Sequence, residues 1–170
     1  KNVKLRAGSV VLPLHDPIRV AEEWSMVDNF SSGRVGVAFA PGWHPNDFVL
    51  TNNSFSDRRK VMDDGIFDVR ALWRGQSITR LNGNGEETNI SIYPKPLQEE
   101  LPIWLAVLGN PDSYRKAGEF GAGVLTNLIG QNIDELKNGI YIYKDSLLKN
   151  GFKESDAHVT VLLHSFIDSD

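Results

Sequence analysis

The sequence predicts an α/β chain: a parallel sheet whose strands alternate with covering helices. Three observations carry this. Short apolar runs alternate with stretches in which apolar residues recur every three or four positions. The connections between successive apolar runs are long enough to hold a helix, as crossovers between parallel strands must be. The chain has 170 residues, 41% hydrophobic and 24% charged, which suits a globular chain with a core and not a disordered or fibrous one.

The elements follow in order. Lys4 to Val11 reads as a strand ending in the small residues Ala7-Gly8-Ser9. Asp16 caps a helix with Pro17 at its first position, Ile18, Ala21, Trp24 and Val27 form its apolar stripe, and Gly33 stops it. Val35 to Phe39 is a second, buried strand, and it runs into a loop from Pro41 to Phe48. Ser56 begins a helix striped by Met62, Ile66, Val69 and Trp73 and ended by Gly75. Gln76 to Tyr93 breaks the rhythm. Its Asn82-Gly83-Asn84-Gly85 turn predicts a hairpin insertion at about 76–93. Pro94, Pro96 and Pro102 mark a rigid connector. Ile103 to Leu108 is a third strand and Asn110-Pro111-Asp112 opens the next helix. Gly123 to Thr126 is a fourth strand. Asn132 caps a helix striped by Ile133, Leu136, Ile140, Tyr143 and Leu147, closed at Asn150-Gly151, and His158 to Ile167 is a fifth strand.

Two architectures satisfy five parallel strands joined by four crossovers: an open doubly wound sheet, or part of a (β/α)8 barrel. A whole barrel takes about 250 residues, so a barrel here would be incomplete. The chain reads as a single domain over residues 1–170.

Composition excludes several function classes. Net charge is −4 and the pI about 5.6, with no basic stripe, which argues against nucleic acid. There is no cysteine, so no disulfide framework and no thiolate chemistry is expected. No apolar run reaches the roughly 20 residues of a membrane helix, and Lys1 to Arg6 lacks a signal-peptide layout. A cytoplasmic chain with no membrane partner is the expectation. His15, His44, His158 and His164 are dispersed, so no metal site is expected, and His158 and His164 read as structural. Phosphate-loop, dinucleotide and serine-hydrolase motifs are missing. Trp24 and Trp73 lie on helical stripes and read as core, and Asp63-Asp64 as the polar flank of a helix.

In either architecture ligands bind at the carboxyl ends of strands, which selects four stretches. Ala7-Gly8-Ser9 would let a flat ligand approach the backbone, or simply pack tightly. Pro41 to Phe48 holds Trp43 for stacking and His44 as a candidate acid or base, though a loop histidine also serves as a plain solvated residue. Gly109-Asn110-Pro111-Asp112-Ser113 offers free amides to an anion, with Asn110 and Ser113 as side-chain donors, provided that Asp112 points away. The same residues also suffice for ordinary capping. Thr126, Asn127 and Gln131 stand at the mouth of the following strand.

Several blocks together resemble the luciferase-like, flavin-dependent monooxygenases. They are Gly8-Ser9-Val10-Val11-Leu12-Pro13-Leu14-His15-Asp16-Pro17, Ala21-Glu22-Glu23-Trp24 and Asp28-Asn29-Phe30-Ser31-Ser32-Gly33-Arg34. Gly42 to Phe48, Tyr93-Pro94-Lys95-Pro96-Leu97-Gln98 to Trp104, Gly109-Asn110-Pro111, Ala117 to Ala122 and Leu125 to Gln131 are similar to a subgroup linked to polyketide and non-ribosomal peptide assembly lines. The resemblance implies a (β/α)8 barrel, present here from about its third strand to its seventh. It also implies reduced FMN, supplied by a separate flavin reductase, with dioxygen as co-substrate, and an organic substrate that is free or bound to a carrier protein.

Carried over residue by residue, Ala7, Gly8 and Ser9 would meet the flavin ring edge, where the family often has a non-proline cis peptide. Ala40, Pro41 and Trp43 would line the adjoining part, with Pro41 where a small or polar residue is usual. Gly109, Asn110 and Ser113 would hold the phosphate, and Thr126 and Gln131 would lie beside it. His44 is the candidate catalytic group near the substrate. Two alternatives stand beside this: a deazaflavin (F420)-dependent oxidoreductase of the same fold, and a non-catalytic fragment or binding module. An unpaired edge strand would favour self-association into a homo-oligomer.

Overall fold

In the computed structural model, which describes residues 2–163 and 165–168, β1 (Leu5–Val11) and β2 (Val35–Ala40) pair in parallel. Leu5 stands opposite Val35 and Val11 opposite Ala40. Val35 to Phe39 are all buried, as an uninterrupted apolar run predicts, whereas β1 is largely exposed. The register slips at Ser9: Gly8 faces Ala38 and Val10 faces Phe39, so Ser9 sits on a bulge. The Gly8–Ser9 peptide is cis, at the place where the resemblance puts one. These strands belong to the first of two compact units, Lys1–Pro102, and the second is Ile103–Asp170.

Helix α1 (Pro17–Ser31) starts as predicted, the Asp16 carboxylate accepting the Ile18 amide at 2.8 Å. Its buried face differs from the expected stripe. Val20, Ala21, Ser25, Asp28 and Ser31 are buried, Trp24 is half-buried and Val27 exposed. The cause is Asp28, whose carboxylate is wholly buried because it gathers donors from the connector that follows the hairpin. It accepts the Leu97 amide at 2.7 Å, the Gln98 amide at 3.0 Å and Gln98 Nε2 at 2.8 Å. Gln98 also donates to the Val35 carbonyl and accepts from Trp73 Nε1. The Val37 amide reaches the Pro102 carbonyl. The proline-rich connector is thus fastened along its length.

Helix α2 (Arg58–Trp73) buries Met62, Ile66, Val69 and Trp73, the stripe its spacing predicts, after a short 3-10 turn at Phe55–Asp57. The predicted hairpin forms from β3 (Ile78–Leu81) and β4 (Glu87–Ile90), antiparallel to each other. The Asn82 side chain closes its turn by accepting the amides of Asn84 and Glu86.

In the second unit β5 (Ile103–Ala106), β6 (Gly123–Asn127) and β7 (Val159–Leu162) pair in parallel. Helices α3 (Pro111–Glu119) and α4 (Ile133–Lys149) lie against each other at two glycines. A Cβ on Gly118 would fall 2.6 Å from the Leu147 amide nitrogen, and one on Gly139 would fall 2.4 Å from the Tyr114 ring. Asn132 and Glu135 form a reciprocal capping box at the start of α4. Within the predicted stripe of α4, Leu136, Tyr143 and Leu147 are buried, Ile140 is half-buried and Ile133 is exposed.

The last strand is shorter than the expected His158 to Ile167. Its neighbour β6 ends at Asn127, opposite Leu162, the last pair in their register, and Phe166 and Ile167 are exposed. His164 lies outside the described residues. Among those residues, no helix is long and apolar enough to cross a membrane.

Candidate functional site

In the first unit the carboxyl ends of β1 and β2 lead into a turn at Leu12–Leu14 and the loop from Pro41 onward. Ala7 is half-buried and Gly8 and Ser9 are exposed; they lie at the bulge within β1, with Val10 and Val11 after them, and not at the strand's end as expected, while Ala40, opposite Val11, is half-buried. The loop is more ordered than its sequence suggests. A 3-10 turn spans Pro45–Leu50, and its cap is His44, whose Nδ1 accepts the Asn46 amide at 3.2 Å. Phe48 is buried, and a Cβ on Gly42 would lie 3.1 Å from both the Phe48 ring and the Val11 side chain. Phe48 meets Phe55 edge-on, and Arg58 stacks over Phe55 with its guanidinium 3.9 Å from the ring centre. Asn53 Nδ2 donates to the Pro13 carbonyl at 2.8 Å and ties the far end of the loop to the end of β1.

This anchoring leaves Trp43 83% exposed, with its ring edge-on to His44 at 5.3 Å. Because Nδ1 of His44 accepts a hydrogen bond, the proton of the neutral ring is on Nε2, which can donate a hydrogen bond.

In the second unit the candidate residues after β5 and β6 come together. The loops meet where a Cβ on Gly109 would lie 3.9 Å from the Gln131 Cβ and 4.0 Å from the Gly130 carbonyl oxygen. Both glycines have positive φ, +64° and +82°. Asn110 caps α3 through Oδ1, which accepts the Asp112 amide at 2.9 Å, and the Ser113 amide turns to the Asn110 carbonyl. The first-turn amides expected to be free are therefore engaged by the cap itself. The donors left over are the amides of Gly109 and Gly130, Nδ2 of Asn110 and the hydroxyl of half-buried Ser113, none of which makes a hydrogen bond among the described residues. Asp112 is exposed, and its carboxylate is paired with Arg115 at 2.7 Å.

Thr126 and Gln131 are buried and bonded to each other, Gln131 Nε2 donating to Thr126 Oγ1 at 2.7 Å and to the Asn127 carbonyl. The Asn127 side chain closes the same turn by accepting the Ile129 amide. Tyr114, which nothing in the sequence singles out, donates its hydroxyl to Gln131 Oε1 at 3.2 Å.

A groove of about 1030 Å³ in the first unit opens at the other end of its strands, lined by Lys4, Arg6, Ser32, Arg34 and Gln98 among others. Volume alone does not make it the site, because ligands of parallel α/β folds enter at the carboxyl ends of the strands.

Comparison with known proteins bears on the whole chain. A relative from Acinetobacter baylyi, the oxygenase component of a flavin-dependent trigonelline monooxygenase, is 30% identical over 131 residues, covering 73% of this chain and 35% of the relative. The solved structure of the monooxygenase RslO1 from Streptomyces bottropensis superposes with a TM-score of 0.78 at 27% identity, covering 92% of this chain and 49% of that one. An F420-dependent secondary alcohol dehydrogenase reaches the same TM-score of 0.78 at 23% identity, covering 95% of this chain and 49% of that one, and shares the fold. The chain spans half or less of the length of each of these proteins. The fold is α/β, an incomplete (β/α)8 barrel of the luciferase-like type. The family model for luciferase-like monooxygenases matches residues 1–170, and the chain belongs to that family.

Proposed function

We propose that this chain is part of an FMN-dependent monooxygenase that uses reduced flavin and dioxygen to oxygenate an organic substrate in secondary-metabolite biosynthesis, with residues 1–170 forming one partial barrel domain. The observation that carries the reading is the cluster of unengaged donors where two glycine loops touch beside α3. The amides of Gly109 and Gly130, Asn110 Nδ2 and the Ser113 hydroxyl suit the phosphate of FMN, and the carboxylate of Asp112, next to Ser113 in sequence, is paired with Arg115.

At the bulge within β1, Ala7, Gly8 and Ser9 offer a flavin ring little side-chain bulk, with Ala40 at the end of the paired strand and Trp43 in the loop after it as an aromatic wall. Reduced FMN, when bound, supplies the electrons with which dioxygen is activated. The chain's own part is to orient the ring, grip the phosphate and offer a hydrogen bond from His44 Nε2 to the substrate. Thr126 and Gln131 act by holding the loop next to Gly109. The Acinetobacter relative is named as an oxygenase component, which supports a separate reductase as the source of reduced flavin. The substrate is a small molecule, free or carried on a protein.

The fold is shared with an F420-dependent enzyme, so fold alone does not choose the cofactor. Titration with reduced FMN under nitrogen, followed by admission of oxygen, distinguishes the readings. Saturable FMN binding with oxygen uptake is expected of the proposed monooxygenase. Binding of F420 without oxygen uptake would replace it with hydride transfer. Failure to bind either flavin would leave a non-catalytic module.

A further inference from the structure

We propose that Tyr114 is a positioning residue for the phosphate end of the cofactor, acting through Gln131. The proposal rests on the FMN reading above. Tyr114 is 1% exposed, and its ring lies over Gly139 so closely that a methyl group there would fall 2.4 Å away. That contact fixes the ring against α4. Its hydroxyl then meets Gln131 Oε1 at 3.2 Å and stands 3.5 Å from Thr126 Oγ1.

Gln131 is itself 7% exposed. Its Nε2 is committed to Thr126 Oγ1 and the Asn127 carbonyl. The phenol is thus the donor that completes the carboxamide, and all of the side chain's bonds hold it in one orientation. Gln131 follows Gly130 directly, and its Cβ stands 3.9 Å from the place where a Cβ on Gly109 would lie, so the held side chain sits beside both glycine loops. Tyr114 also follows Ser113 directly on α3. One phenol therefore couples the helix bearing the Ser113 hydroxyl to the loop bearing the Gly130 amide. Neither Tyr114 nor the buried carboxamide needs to touch the ligand.

The test compares FMN with riboflavin, which has the same ring and no phosphate. Equilibrium affinities of the full chain for both are measured by flavin fluorescence, for the wild type and for Tyr114→Phe, Gln131→Leu and the double variant. The wild type is expected to prefer FMN by at least about tenfold. Tyr114→Phe is expected to lose about tenfold in FMN affinity with riboflavin affinity unchanged, the scale of one buried hydrogen bond. Gln131→Leu should behave alike, and the double variant should lose no more than either single variant.

Equal weakening towards both ligands would mark Tyr114 as general packing and overturn the proposal, as would unchanged affinity for both. Additive losses in the double variant would separate Tyr114 from Gln131 and overturn the coupling. If Tyr114→Phe fails to fold, Gln131→Leu decides by the same comparison. A wild-type protein that does not distinguish FMN from riboflavin would overturn the phosphate reading itself. That outcome is visible before any variant is made.

Discussion

Asn110 has two jobs, and they can be separated. Its Oδ1 caps α3, while its Nδ2 is left among the donors assigned to the phosphate. Asn110→Asp keeps the capping oxygen and replaces the free donor with negative charge. It is expected to lower FMN affinity by about tenfold or more with little change in the unfolding midpoint. Calorimetric titration and a urea melt check the two halves. Asp28 is the opposite case, a polar residue whose work is entirely structural. Replacing it by alanine strands the buried Leu97 and Gln98 donors, so Asp28→Ala should cost about 3 kcal/mol in urea unfolding. Tyr143 adds a pH dependence. Burial pushes its hydroxyl above the ordinary phenol range, Asp156 adds to the rise, and the His158 amide pulls the other way. The folded-state value exceeds the unfolded one, so its contribution is complete below about pH 10 and fades as pH climbs through the folded-state value. Tyr143→Phe should flatten the alkaline arm of the stability curve, measured by urea unfolding across that range.

Helices show most clearly what the sequence made legible. The stripe of α2 and the caps of α1, α3 and α4 follow from spacing and from Asp or Asn before the first turn. The face of α1 did not, because hydropathy places a carboxylate outside and Asp28 is inside, held by partners about 70 residues away in sequence. The 3-10 turn after His44 was hidden for a related reason: histidine is not among the favoured caps, and only the imidazole's contact with Asn46 reveals it. The stretches chosen for the site were legible from the strand-end rule. Tyr114 was not, since a helical tyrosine reads as core and its signal lies in Gly118 and Gly139, on two different helices. Gly118→Ala is expected to force α3 from α4 and cost about 2 kcal/mol, and Asn132→Ala to cost about 1 kcal/mol through the lost cap. Thermal melts of both variants check these values.

Taken whole, the chain is mildly acidic, with a net charge of −4. It should bind an anion exchanger and pass through a heparin column at neutral pH, and retention on heparin would revive a polyanion partner. Strand β1 is largely exposed and carries Arg6, with Lys4 just before its start, charges that discourage pairing with another chain. Replacing both with valine should raise the apparent mass in light scattering as concentration increases. The four tryptophans differ sharply in their surroundings: Trp73 is sealed, Trp24 and Trp104 are half-covered, and Trp43 stands 83% in solvent beside His44. The protein therefore carries a built-in optical probe. Iodide should quench the red edge of its emission first, and a ligand settling near the 41–48 loop should shield that same fraction from the quencher.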